Sequence, residues 1–439
     1  MHLTKSDFIL ARDCPTKLFY KKQKYPTSSA DNELMEFLEN GAYMIEAMAR
    51  LLHPGGQQMF QGGDPEQAFE ATCEALTGGN ITLFEATVLH GHLLAQVDIL
   101  QREGHVLNLI EVKSTSIDGV FPDESPFRGK RGGIESRWRK HLEDVCFQTY
   151  ILARAFPTLT IVPYLCVADK SRAATANSTY ENFRLKHVDA HRPEVVYTGD
   201  VDRLQHEHVL ATVNVSEEVN EMLPGLESDI KRFAKAVSIT PFKRIPPQLG
   251  QHCKGCEYRG GFRECWQDLA DATPHVLDLY FISSLGGKDD VVAELAARGK
   301  SSLLDAPEER MQGKRGVRQK VQLHYTRNGG EFISDDLPRL LKDHKHPLQF
   351  VDFEASLFAL PYHVGMRPYE TATFLWSCHT VEEPGGPLRH AEWLNTEDAF
   401  PNFDFARSLM ESLSPNGTTY IWSKFERTVL RRILRQYDT

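Results

Sequence analysis

The chain has 439 residues, 41% of them hydrophobic and 25% charged, and a formal net charge of -10. At about 150 residues per domain, that allows roughly three domains, each able to bury a core. The negative balance excludes a protein that coats nucleic acid by broad phosphate neutralisation, and it leaves room for a local basic groove.

The opening MHLTKSDFILARD lacks the apolar core and small-residue cleavage site of a secretory signal, and no apolar run is long enough to span a bilayer. A cytoplasmic protein is expected. Ser6 or Asp7 can cap a first helix through Phe8, Ile9, Leu10 and Ala11, followed by Cys14-Pro15 and a basic amphipathic segment to Lys22. Asn32 to Leu52 carries helical spacing (Phe37, Leu38, Tyr43, Ile45, Met48, Leu51) with Glu46 on it. Ala68 to Leu76 reads as a short helix, and Ile81 to His90 as a strand bearing Glu85.

Leu93 to Leu100 and His105 to Ser116 are apolar, strand-favouring runs separated by Gln101-Arg102-Glu103-Gly104, so they predict a hairpin. That puts Asp98 on one strand and Glu111 and Lys113 on its neighbour, the last two on one face. An E-x-K on a strand is commonly a solvated ion pair, but here the strand is otherwise apolar and unpaired charges inside a sheet are costly. Two carboxylates and an ammonium suit metal-assisted phosphodiester hydrolysis, in which acids hold Mg²⁺ or Mn²⁺ and the lysine acts as base or stabilises developing charge. Glu85 is placed to approach such a metal from the side. Arg128 to Lys140 holds Arg128, Lys130, Arg131, Arg137, Arg139 and Lys140 against Glu135 alone, a candidate grip on phosphate. Trp138 to Phe156 reads as a helix presenting Gln148, Thr160 to Val167 as a further strand, and Val201 to Met222 and Ser228 to Ala236 as helices.

Asp98, Glu111-Val112-Lys113 and Gln148-Thr149-Tyr150 together resemble the signature of PD-(D/E)XK nucleases of the RecB class, with the last motif in a shortened form. The resemblance implies an α/β restriction-endonuclease-like mixed sheet flanked by helices, Asp98 and Glu111 as metal ligands, Lys113 as catalytic, and Gln148 and Tyr150 as supporting groups. It also implies Glu46 as an added metal ligand or orienting group on the first core helix.

Downstream stands CKGCEYRGGFREC, with Cys253, Cys256 and Cys265. In a chain of this kind a CxxC with a third cysteine nearby points to metal ligation rather than disulfides. RecB-class nucleases with an iron-sulfur cluster take one cysteine from the start of the domain and three from its end. The resemblance, shared with CRISPR spacer-acquisition and AddB-type nucleases, therefore implies a 4Fe-4S cluster on Cys14, Cys253, Cys256 and Cys265. A zinc knuckle with His252 or another residue as fourth ligand is the alternative. Cys73, Cys146, Cys166 and Cys378 read as buried apolar residues.

From Asp271 to about Lys345 the sequence reads as a charged helical linker. Val291 to Ala297, a turn at Arg298-Gly299-Lys300, and Ser302 to Leu304 resemble a helix-hairpin-helix module, followed by the basic run Met311 to His324. The last third predicts strand Leu348 to Ala355 with Asp352 and Glu354, strands Thr371 to Val381 and Leu388 to Leu394, helix Ala399 to Leu413, strand Thr418 to Trp422, and helix Lys424 to Arg435 with Glu426. That order resembles RNase H-like DnaQ exonucleases, with Asp352, Glu354 and Glu426 in their first two acidic motifs and the final aspartate missing, so the domain is expected to be truncated or incomplete. The expected division is a RecB-like nuclease domain over 1–270, a linker over 271–345 and a DnaQ-like domain over 346–439, an arrangement resembling that of an uncharacterised bacterial family. The expectation is a metal-dependent nuclease, an exonuclease in repair, recombination or defence, acting on single-stranded DNA or free ends. Alternatives are a DNA-binding iron-sulfur scaffold serving a helicase or defence partner, and cutting by the DnaQ-like acids.

Overall fold

The computed structural model describes residues 1–28, 33–59, 63–120, 124–175, 177, 181–186, 193–285 and 289–437. Asn32, the expected start of the second long helix, lies outside them. The front unit begins β1 (Leu3–Thr4), α1 (Lys5–Asp13), α2 (Pro15–Lys22), α3 (Glu33–Leu51), β2 (Gln57–Gln58), α4 (Pro65–Thr77) and β3 (Ile81–His90). It continues β4 (Leu93–Glu103), β5 (Val106–Ile117), α5 (Ser136–Ala155), β6 (Thr160–Asp169), β7 (Phe183–Lys186), β8 (Glu194–Tyr197), α6 (Val201–Gln205), β9 (Leu210–Asn214) and α7 (Ser216–Ser238).

Among the described residues these strands form a mixed sheet of order β2-β3-β4-β5-β6-β9, with β1 parallel to β4. β3, β4 and β5 are antiparallel neighbours, and β6 returns parallel to β5 after α5 crosses over. One face packs against α1, α5 and α7, where the Phe8 and Phe147 rings stack at 4.9 Å. The other packs against α3 through Ile45, Met48, Ile99 and Ile110. This is the expected α/β class, a mixed sheet flanked by helices.

Two expectations for the front unit need correction. The first helix is capped by Thr4, whose side chain and backbone close a capping box with Asp7, so Lys5 becomes its first residue instead of preceding a cap at Ser6 or Asp7. Residues Val201 to Met222 are not one helix. Leu210–Asn214 forms β9, antiparallel to β6 at the sheet edge, and α7 runs unbroken past Pro224. Pairing with an open sheet edge outweighed the apparent helical spacing.

The middle of the chain carries α8 (Phe262–Trp266), α9 (Val291–Ala297), α10 (Gly313–Asn328) and α11 (Leu337–Lys342). Its core joins Trp266, Val276, Leu279, Val292, Leu295 and Leu323, and Leu249, Cys253 and Cys265 pack on it, so this core reaches back across residue 271. The second helix expected of a helix-hairpin-helix is a single 3₁₀ turn, Leu303–Asp305, capped by Ser302.

The C-terminal unit comprises β10 (Leu348–Leu357), β11 (Thr371–Val381), β12 (Leu388–Leu394), α12 (Asn402–Ser412), β13 (Thr418–Ile421) and α13 (Phe425–Tyr437). Its sheet order is β12-β11-β10-β13, antiparallel except for β13, which returns parallel to β10 after α12. Val351, Phe353, Trp376, Phe405, Leu409 and Val429 fill its core. The loop after β10 docks on the front unit, burying Ala359 and Leu360 against the α3 face. Gly41 on α3 permits this approach, since a Cβ there would lie 3.1 Å from the Ala359 Cβ. Among the described residues no helix is long and apolar enough to cross a membrane.

Candidate active site

The β4–β5 ladder runs from the pair Glu103–Val106 only as far as Ile99–Ile110, and the strands part at Asp98 and Glu111. Asp98 closes the fork with its side chain: Oδ2 accepts the Val112 N–H at 2.8 Å in place of a ladder partner. The facing position on β3, Glu85, has φ +55°, an unusual left-handed value for a non-glycine residue in a strand. The parting strands leave a gap inside an apolar sheet, and charged side chains fill it.

Lys5, brought in at the start of α1, donates to Asp98 Oδ1 at 3.2 Å and to Glu111 Oε1 and Oε2 at 2.9 and 3.1 Å. Lys113 donates to Glu111 Oε1 at 2.5 Å and to Asp144 Oδ2 at 2.6 Å. Gln148, one helical turn after Asp144 on α5, donates to Glu111 Oε2 at 2.7 Å and Asp144 Oδ1 at 3.0 Å. Three carboxylates and two ammonium groups thus interlock, with Glu111 fully buried at their centre.

Burial and mutual repulsion drive the carboxyls apart. Asp98 is pushed up to about 8 by burial and then by Glu111, against the pull of Lys5. Asp144 is also raised, by burial and Glu111. Burial would raise Glu111 too, but Lys113, Lys5 and the Gln148 amide hold it well below the usual carboxylate range. Burial opposes charge on both lysines, and the carboxylates override it and raise them. Lys113 is therefore a fixed cation, better suited to stabilising negative charge than to accepting a proton.

Asp98 binds its proton more tightly when folded than at its ordinary value of 3.8, so the cost of ionising it accrues as pH rises from about 4 to about 8. Asp98→Asn keeps an acceptor for the Val112 N–H and removes that cost. In chelator, the variant is expected to gain on the native protein by up to about 1.4 kcal/mol per pH unit across this window. Denaturant melts at several pH values measure it, and a difference that does not change with pH would refute the raised carboxyl.

Asp98, Glu111, Lys113 and Gln148 meet as expected, and Glu46 on α3 is close enough that its charge contributes to raising Asp98. Glu85 is buried and ion-paired with Arg50 at 3.2 Å. Tyr150 does not join the cluster. Two residues past Gln148 is about 200° around a helix, which turns its ring into the core, under the Arg154 guanidinium. Lys5 and Asp144 were missed from sequence. Asp144 had a usable signal, four residues before Gln148 on the same helical face; Lys5 had none. Of the basic run, Lys140 borders the cleft that holds Lys113, His141 and Asp144. Arg128 is turned to Glu218 and Glu221, Arg137 pairs with Glu135, and Lys130, Arg131 and Arg139 are exposed.

The second acidic set is not assembled. Strand alternation puts Asp352 and Glu354 on the exposed face of β10, whereas Glu426 is buried on the opposite face, beside Val351 and Phe353. Residues 349–439 match a family model described as a domain of unknown function, DUF2779. No curated protein matches the chain. The DUF2779 match spans β10 to α13, the unit with its own core, and lies outside the fork.

Among the described residues no three His, Cys, Asp or Glu side chains form a ready metal cage. The fork nevertheless fits a hard divalent cation in its chemistry. The Lys5 ammonium already bridges Asp98 and Glu111 as a cation would, and the buried Gln148 Oε1 beside them has no hydrogen-bond partner.

The cysteines converge only in part. Cys14 is buried at the start of α2, Cys253 Sγ lies 3.8 Å from His252 Nε2, and the His252 imidazole is pushed up to about 10 by Cys14 and Cys253. Cys256 follows Cys253 in a 3₁₀ turn. Cys265 instead meets the Tyr20 hydroxyl and the Arg244 guanidinium, each at 3.3 Å. Gly261 is required under Tyr20, where a Cβ would come within 2.6 Å of the phenol. Thiols and an imidazole suit a soft or borderline metal, but a four-cysteine set is not closed in this arrangement. Of the remaining cysteines, Cys146, Cys166 and Cys378 are buried as expected, and Cys73 is only half-buried.

Proposed function

We propose that the chain is a metal-dependent nuclease that hydrolyses DNA phosphodiester bonds at the β4–β5 fork. The observation that carries this reading is the buried pair Asp98 and Glu111, bridged by Lys5 and flanked by Lys113. Buried ion pairs seldom stabilise a fold more than apolar packing would, so such a cluster inside an apolar sheet is better explained by chemistry. Asp98 and Glu111 would hold Mg²⁺ or Mn²⁺, which supplies a Lewis acid for the phosphate. Lys113 stabilises negative charge on the phosphate oxygens, Gln148 orients Glu111, and Asp144 holds Lys113 in place. Glu46 helps set the proton on Asp98.

The C-terminal strand order, an antiparallel meander with β13 parallel to its first strand, supports the RNase H-like reading of that unit. Its acids lie on opposite faces, so cutting is assigned to the fork. The test is to incubate end-labelled single-stranded and duplex DNA with Mg²⁺ or Mn²⁺, comparing the native protein, Lys113→Ala and the double variant Asp352→Ala/Glu354→Ala. Cleavage lost only in Lys113→Ala supports the fork. Cleavage lost only in the double variant moves the reaction to the C-terminal unit, and binding without cleavage by any of the three leaves a scaffold.

We also propose that Cys14 at the start of the front unit and Cys253, Cys256 and Cys265 beyond α7 take a 4Fe-4S cluster, with zinc as the alternative. The support is that Cys14 and the Cys253 turn come near enough, across about 240 residues, for both to raise His252. For the cluster to form, Cys265 must exchange Tyr20 and Arg244 for the metal. Cys256→Ser is then expected to lower stability on the scale of a lost cross-link, about 2–5 kcal/mol, and to bleach the brown colour of anaerobically purified protein. Colourless native protein with stoichiometric zinc would overturn the iron-sulfur assignment.

A further inference from the structure

At the end of β5, just past Lys113, a cleft of about 600 Å³ opens between the front and C-terminal units. Its walls carry Lys170, which follows β6, Arg367 from the docking loop, and Arg432 and Arg435 from α13. The described residues lining it offer one carboxylate, Glu370, against these four cations. In a chain of net charge -10, this is a local reversal of sign inside a concave wall, where fields are focused.

Two of these cations, Arg367 and Arg432, direct their hydrogen bonds to neutral groups. Arg367 Nη1 donates to the Lys170 and Ser171 carbonyls at 3.1 and 3.3 Å, and Arg432 Nη1 donates to Thr371 Oγ1 at 2.7 Å, all neutral acceptors. Glu370 is occupied by neutral donors, the Arg367 N–H at 2.8 Å and Gln436 Nε2 at 2.9 Å. Two guanidinium groups are thereby fixed in place without being neutralised. Arg432 and Arg435 are three residues apart, on one face of α13. Hydroxyl groups complete the lining: Ser114, Thr115 and Ser116 from the end of β5, and Tyr369 from the docking loop. The wall itself is tied to the front unit by backbone bonds between Ala174 and residues 365 and 366.

We infer that this cleft is a phosphate-binding site. Preorganised guanidinium groups with hydroxyl donors are the chemistry that recognises a phosphate oxyanion, and the volume accommodates a nucleotide-sized ligand. The phosphate comes either from the phosphorylated end of a DNA strand or from a free nucleotide. The site uses none of the fork residues, so it stands whether or not the fork cleaves.

The test measures equilibrium binding in chelator, without cleavage, for 5′-phosphorylated and 5′-hydroxyl forms of one short oligothymidylate and for ATP. Proteins compared are native, Arg432→Ala/Arg435→Ala and Arg367→Gln, with thermal melts confirming that each variant is folded. The exposed α13 pair reports even if the loop variant unfolds. The expected result is binding of the phosphorylated strand or of ATP that weakens at least tenfold in the α13 double variant. Preference for the phosphorylated over the hydroxyl strand identifies a strand end, and binding of ATP alone identifies a free nucleotide. Absence of binding by any phosphorylated probe, or equal binding by native and variant proteins, overturns the inference.

Discussion

Lys113→Ala is expected to reduce metal-dependent DNA cleavage by about 10²–10³-fold, the scale of removing one preorganised electrostatic contact from a transition state. Lys113 is held by Glu111 and Asp144 at 2.5 and 2.6 Å and stays charged, so it needs no reorganisation when charge develops on the phosphate. The substitution should leave the fold standing, because Lys5 and Gln148 still satisfy the fully buried Glu111. A stability loss of about 1.5–3 kcal/mol is expected for the lost charged hydrogen bonds. Cleavage assays and denaturant melts on one preparation separate the two effects. A variant that cleaves at the native rate would remove Lys113 from the reaction.

Lys5→Ala should have the second largest effect, and it acts through metal binding. The Lys5 ammonium lies between Asp98 and Glu111, so a divalent cation bound there as proposed would compete with it. Without Lys5, the fully buried Glu111 loses one of its two ammonium partners, and metal-free protein should lose about 3–5 kcal/mol. Mg²⁺ or Mn²⁺ should then raise the melting temperature of the variant more than that of the native protein, since a ligand stabilises in proportion to its affinity for the folded state. The metal concentration giving half-maximal cleavage should fall. Thermal melts across a metal titration decide it: a metal response no larger than that of the native protein would show that Lys5 does not occupy the cation's place.

Much of the fork was legible because apolar strands advertise the charges they carry. The predicted hairpin, Leu93 to Leu100 and His105 to Ser116, corresponds to β4 and β5, and Asp98, Glu111 and Lys113 stood out inside it. Tyr150 misled because a motif read as a string ignores helical phase, and phase turns it away from Gln148 into the core. Glu426 misled for a similar reason, since the order of elements does not say which face of a sheet an acid will meet. Residues 210–214 continue a helical spacing in the sequence, but an open strand edge claims them.

The sequence by itself determined the strand pair, the carboxylate-lysine set on it and the α5 face that covers it, because periods of 2 and 3.6 residues are written locally. The tertiary structure alone decided that Lys5 enters the cluster from 93 residues before Asp98. It also decided that Asp352 and Glu354 face away from Glu426, and that a basic cleft forms where two units meet. Such contacts follow from how elements dock, and a single chain's sequence carries no periodic signal for docking.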